Sequence, residues 1–163
     1  MNRREFIEAM DMMDLFEEQY EEEEIKKTKE YKKHRLFLRI AQEFANESKD
    51  PKFKVGCVIV TPNFVLYPGY NGDERGGTNQ RDSMDHGQSG FVHAEANAIT
   101  KFDPSTHKHS KMYLTYNPCV VCARMIINCG AIDEVYYLNR YEKDMRGVGI
   151  LKKSGIKCEQ IPG

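Results

Sequence analysis

Tryptophan is absent from this chain, prolines number only six, and no apolar run approaches the roughly 20 residues needed to cross a bilayer. The N-terminal stretch MNRREFIEAMDMMDLFEEQ has no apolar h-region of a secretory signal and is dense in acid instead. Charge of one sign is also missing: 24 basic residues face 25 acidic ones, net −1, which leaves no electrostatic footprint for a long nucleic acid. The five cysteines (57, 119, 122, 129 and 158) are an odd number for a disulfide framework. Together these absences point to a reducing, cytoplasmic setting in which thiols serve as ligands or core residues. A length of 163 residues suits one domain with a real core.

The first 30 residues differ from the rest. They hold 5 basic and 11 acidic residues, net −6, against +5 for the remaining 133. Phe6, Met10, Met13, Phe16 and Tyr20 recur at helical spacing, and Glu22 and Glu23 precede Lys26 and Lys27 by four residues, the favourable order for helix ion pairs. Two readings of this segment stand: a helix packing on the domain or a neighbouring subunit, or a regulatory arm. The chain is therefore divided into an acidic amphipathic extension, 1–30, and a second domain, 31–163.

Within that domain a helix is expected from Lys33 to Ser48, with Leu36, Ile40 and Phe44 on one side and His34 at the surface among lysines. The proline in Ser48-Lys49-Asp50-Pro51 ends it. Strand-like runs follow at Lys54–Thr61 and Phe64–Tyr70 around a Pro62-Asn63 turn, and Cys57 falls in the first as a core thiol. Residues 71–90, rich in Gly, Asp, Asn, Ser and Gln, predict a long polar loop, which in a compact domain is more often functional than idle. Beyond it come a helix from His93, a strand from Lys111 to Asn117, a helix opened by Pro118 and closed by Gly130, the strand EVYYLN, a helix over 147–153 and a short strand KCEQI. This alternation argues an α/β domain with a largely parallel sheet and helices on its faces. Cys129 is expected to pack near its helix end, and His107 and His109 read as a solvated pair in a polar turn.

Two short pieces carry the chemistry: His93-Ala94-Glu95 and, after 22 intervening residues, Pro118-Cys119-Val120-Val121-Cys122. One imidazole and two thiolates are three zinc ligands, which leaves the fourth tetrahedral position open to water, whereas a structural zinc is closed by a fourth Cys or His. Cys119 and Cys122 share one face of a helical first turn, where the helix dipole favours the thiolates that zinc requires. Glu95, two residues from the ligand His, is the proton carrier for that water; its bland alternative is a solvated carboxylate at a helix start. C-x-x-C alone also marks redox motifs and zinc knuckles. Together with H-x-E and the preceding proline it resembles the signature of the zinc-dependent nucleobase deaminases.

The flanking residues narrow the resemblance. SKDPKFKVGCVIV (48–60), GYNG (69–72), HAEANAI (93–99), MYLTYNPCVVCARMIINCG (112–130) and ILKKSGI (150–156) resemble the cytidine and deoxycytidylate deaminase superfamily. They are most similar to deoxycytidylate (dCMP) deaminases, viral members included. The resemblance covers about residues 33–162. It implies a three-layer α/β/α cytidine-deaminase-like domain with a mixed, largely parallel five-stranded sheet. It also implies one catalytic Zn2+ per subunit and conversion of dCMP to dUMP and ammonia.

The same resemblance places Asn71 against the sugar, although Asn-Gly is also a good turn pair, and Tyr141 near the base, although an aromatic after a strand also suits core packing. Phosphate would fall to a cation among Lys49, Lys52, Lys54 and Arg75. A hexamer regulated by dCTP and dTTP is implied too, with Arg75 and Asn97 as effector or phosphate contacts. Asp73 and Glu74 would repel a triphosphate unless Mg2+ intervened. A second, structural zinc is not expected, since Asp50, Pro51 and Gln80 stand where some viral relatives carry Cys or His, with only His86 nearby. The competing readings are a deaminase acting on a base in tRNA or single-stranded DNA, a riboflavin-pathway deaminase, and a non-catalytic nucleotide-sensing zinc protein.

Overall fold

A computed structural model describes residues 3–85 and 87–163, apart from some side chains of the first helix. Phe6, the Glu22, Glu23, Lys26 and Lys27 side chains, and His86 lie outside the described residues. The chain forms two compact units, Met1–Lys33 and His34–Gly163.

In the first unit, α1 runs from Arg3 to Lys27. The helix expected from the sequence is there, and Met13, Phe16 and Tyr20 on it are exposed. Helix α2, Lys29–Glu47, begins where the Thr28 hydroxyl accepts the Tyr31 backbone N–H.

The second unit is built on five strands: β1 (Gly56–Val60), β2 (Leu66–Tyr70), β3 (Ser110–Tyr116), β4 (Ile132–Asn139) and β5 (Lys157–Gln160). Their order is β2-β1-β3-β4-β5. The sheet is mixed, as expected, and evenly divided: β1 pairs antiparallel with β2 and β3, while β3–β4 and β4–β5 are parallel. All five residues of β1 are buried, which is why this strand reads as a continuous apolar run rather than an alternation.

Period-two alternation divides the central strands between two faces. Tyr113 and Tyr136 point towards α2, meeting Phe37 and His34. Met112, Leu114, Val135 and Cys57 join the cluster completed by α3 (Ala94–Ile99), α4 (Val120–Cys129) and α5 (Arg146–Lys153). Two glycines permit this close layering: a Cβ on Gly56 would lie 1.9 Å from the Ala41 carbonyl oxygen of α2, and one on Gly69 would lie 2.1 Å from the Ala94 oxygen of α3.

Three local expectations are corrected. His34 is not at the surface: it is buried, its Nδ1 lies 3.0 Å from the Tyr113 hydroxyl, and its ring packs on Tyr136. The buried side of α2 is accordingly His34, Phe37, Leu38, Ala41 and Ala45, while Leu36 is exposed. Ala41 and Ala45 stand where α2 passes closest to β1 at Gly56, and Phe37 packs on Tyr113. Pro118 does not open α4; it precedes Cys119, the N-cap, whose sulfur accepts the Cys122 N–H at 3.5 Å. Gly130 does end α4, at φ 67°.

Cys57 is a fully buried core thiol, and Cys129 packs against the core at the end of α4. His109 pairs with Asp133 at 2.6 Å, with both side chains well exposed, and His107 stacks near Phe102. No helix among the described residues is long and apolar enough to cross a membrane.

Candidate active site

The parallel pairing of β3 with β4 brings their carboxyl ends to one edge of the sheet, and the segments leaving them line a cavity there. The cavity, about 860 Å3, also takes in the α2–β1 junction, part of the loop over 71–90 and the starts of α3 and α4.

His93 and Cys119 are both N-caps with extended backbone, at φ −70° and −72°. An N-cap side chain stands clear of its helix, so the two chain segments present an imidazole and a sulfur to each other. His93 Nδ1 lies 3.5 Å from Cys119 Sγ and 3.4 Å from Cys122 Sγ. The three donor atoms all fall within 4.8 Å of one another, and theirs is the only such group among the described residues. A tetrahedral zinc at about 2.3 Å from sulfur and about 2.05 Å from nitrogen holds its N and S donors about 3.6 Å apart. The donor set and its spacing therefore fit that ion.

Without an ion the two sulfurs share one proton. A hydrogen bond from Cys122, aided by His93, pulls the Cys119 thiol down to about 4, while Cys122, facing that thiolate and buried, is pushed far up. His93 is raised from its ordinary value by its hydrogen bond to Cys119, against the effect of burial. Glu95 is the second residue of α3, in its first turn, and is 4% exposed. Burial lifts its carboxyl above the usual range, offset in part by a backbone N–H and by His93. A buried carboxyl beside a metal set, lining a cavity, is placed to take up and pass on a proton.

The remaining residues expected at the site separate into groups. Asn71 lines the cavity and is buried, with its side chain largely committed to protein: Nδ2 donates to Phe53 O (2.8 Å) and Asp50 Oδ2 (3.2 Å), and Oδ1 accepts the Val55 N–H (2.8 Å). Tyr141 lines the cavity and meets Phe53 edge-on at 5.8 Å, while Phe53 also packs on Tyr116 at 4.5 Å. Lys49, Lys54, Arg75 and Asn97 do not line the cavity. Asn97 instead holds α3 to the end of β2 through the Tyr70 carbonyl. Of the cations expected to serve a phosphate only Lys52 is in place, with Arg81, Lys143 and Arg146, which sequence reasoning missed. Arg81 belongs to the long loop flagged as functional; the other two follow Tyr141 by two and five residues, and that proximity was the available signal.

A five-stranded mixed sheet with helices on both faces and a His/Cys/Cys set at two helix starts defines a nucleobase-deaminase type of domain. Residues 31–139 match the family model for the cytidine and deoxycytidylate deaminase zinc-binding region, and the chain belongs to that family. It is 39% identical over 139 residues to a probable deoxycytidylate deaminase of Caenorhabditis elegans, covering 80% of this chain and 70% of that protein. A deoxycytidylate deaminase of Pongo abelii is 29% identical over 145 residues, covering 77% and 81%. The crystal structure of the dCMP deaminase from cyanophage S-TIM5 in complex with dCMP and dUMP matches with TM-score 0.69 at 28% identity. That match covers 82% of this chain and 98% of the cyanophage chain.

Proposed function

We propose that the chain is a zinc-dependent dCMP deaminase that hydrolyses dCMP to dUMP and ammonia. The observation that carries the reading is the placement of buried Glu95 beside the His93, Cys119 and Cys122 donor set within one cavity. Family membership and the deoxycytidylate deaminases among its relatives supply the substrate.

His93, Cys119 and Cys122 would hold the zinc. When bound, zinc supplies a Lewis-acidic position at which water gives up a proton near neutral pH. Glu95 accepts the proton of the attacking water and passes it to ring N3, which makes C4 electrophilic. It then takes the proton of the hydroxyl added at C4 and delivers it to the departing amine, so that the C4 carbonyl forms, ammonia leaves and the carboxylate is restored. Phe53, Tyr116 and Tyr141 form an apolar wall suited to a pyrimidine face. Asn71 acts first by fixing the 50–55 segment, and the second lone pair of its Oδ1 is what it can still offer to a sugar hydroxyl.

The assembly in this reading is a cytoplasmic homo-oligomer, hexameric by family resemblance, with residues 1–30 as an extension to a catalytic domain over 31–163. An effector nucleotide, dCTP with Mg2+ or dTTP, would meet exposed Arg75 on the turn after GYNG, where Mg2+ would answer Asp73 and Glu74.

The test is ammonia release by the zinc-loaded chain from dCMP, CMP, deoxycytidine and dCTP, each with and without dCTP–Mg or dTTP. Turnover of dCMP well above that of deoxycytidine is expected. Equal rates on the two would remove the monophosphate assignment.

A further inference from the structure

Arg81 is a cation held almost out of solvent at the wall of the active-site cavity, its side chain 7% exposed. Its Nη1 donates to Asp50 Oδ2 at 2.5 Å and its Nε to the Ser83 carbonyl at 3.0 Å. Nη2 has no hydrogen-bond partner among the described residues, where no unpartnered side-chain nitrogen is sealed from solvent. In a side chain this buried, the opening left for Nη2 is the cavity that Arg81 lines.

The anchoring is rigid. Asp50, 2% exposed, accepts the Lys52 and Phe53 N–H groups with its other oxygen and the Asn71 amide with the oxygen that meets Arg81. A guanidinium fixed through Nε and Nη1, with its Nη2 donors left over, is arranged for an oxyanion.

The charge around it agrees. Apart from Glu95 and the metal set, the charged residues lining the cavity are four cations (Lys52, Arg81, Lys143, Arg146) and two carboxylates (Asp50, Asp144), a surplus of two positive charges. Arg81 is paired with Asp50, Arg146 with Asp144, and Lys52 donates to the Met84 carbonyl. Lys143 has no ion pair or hydrogen bond to any described residue. A phosphate monoester carries about −1.5 to −2 charge at neutral pH, which matches that surplus.

We propose that Arg81 and Lys143 are the specificity-determining residues for the 5′-monophosphate. Arg81 supplies preorganised Nη2 donors and Lys143 a free ammonium, neither of them among the cations Lys49, Lys52, Lys54 and Arg75 suggested by the sequence. This rests on the deaminase reading above and adds to it the groups that separate a nucleotide from a nucleoside. The alternative is that Arg81 only locks the long loop to Asp50.

Equilibrium binding of dUMP and of deoxyuridine to the zinc-loaded full chain reads the phosphate without requiring turnover. Arg81→Lys keeps a charge beside Asp50 and removes the fork, and Lys143→Ala removes an unpaired cation. Each should lower the ratio of dUMP to deoxyuridine affinity by about tenfold or more, whereas Lys49→Ala should leave the ratio unchanged. Equal losses for both ligands in Arg81→Lys would assign Arg81 to loop locking and overturn its part. An unaltered ratio in both variants, or a fall in Lys49→Ala, would overturn the site. If wild type released no ammonia from dCMP yet preferred dUMP in this assay, the deaminase reading would fall and the phosphate site would stand.

Discussion

Gly69 of β2 lies against Ala94 of α3 so closely that a methyl group on Gly69 would stand 2.1 Å from the Ala94 carbonyl oxygen and 2.6 Å from the Ala98 nitrogen. Helix α3 begins directly after His93 and carries Glu95, so this contact sets the depth of both in the cavity. Gly69→Ala should therefore act on the site as well as on stability. The expected result is a loss of about 1–3 kcal/mol or more together with reduced zinc content. Gly149→Ala, at an exposed position of α5 where nothing lies within 4 Å, is the contrast and should stabilise by about 0.8–1.0 kcal/mol. Chemical denaturation with zinc analysis of both variants checks the pair; normal zinc in a folded Gly69→Ala protein would contradict the account.

Glu95→Gln removes the proton carrier while keeping shape. Turnover should fall by about 10²–10⁴-fold with zinc stoichiometry unchanged. Loss of the metal along with activity would mean that Glu95 is a ligand.

Metal uptake should be linked to protons. Before loading, Cys119 is the thiolate, Cys122 holds the shared proton, and His93 is raised above its ordinary value. At a pH above the raised His93 value loading should release about one proton, from Cys122, and below it about two, because His93 must also lose its own. Apparent zinc affinity accordingly falls as pH falls. Calorimetry in buffers of different ionisation enthalpy measures the count, and release that did not change with pH would rule out the shared-proton arrangement.

His34 and Tyr113 join α2 to the sheet on the face away from the helices that hold the metal set. Replacing His34 with Ala leaves the buried Tyr113 hydroxyl without this partner and opens space against Tyr136. The expected cost is about 2–4 kcal/mol in urea unfolding, with the KM for dCMP unchanged because the group is remote from the cavity.

The order of elements and the identity of the metal set were legible in the chain itself. Strand runs, the Gly130 terminus of α4 and the H-x-E and P-C-x-x-C pieces are local signals, each decided by residues within a few positions. The errors share a different origin. His34 among lysines looks solvated, and only the approach of α2 to Gly56 turns it onto Tyr113 and Tyr136. For Asn71 the sequence suggests a ligand contact or a turn residue, and only the folded chain adds its bonds to Asp50, Phe53 and Val55.

By itself, then, the sequence determined which side chains can hold zinc and move a proton, because ligand chemistry is a property of residue type and short spacing. Tertiary structure decided which charges face the substrate. Arg81 is 31 residues from Asp50 and gains its role only when the long loop folds back over the α2–β1 junction. Lys143 shares its cavity because β4 runs parallel to β3 and delivers the following loop to the same edge. Such pairings depend on backbone path and burial, which no local pattern encodes.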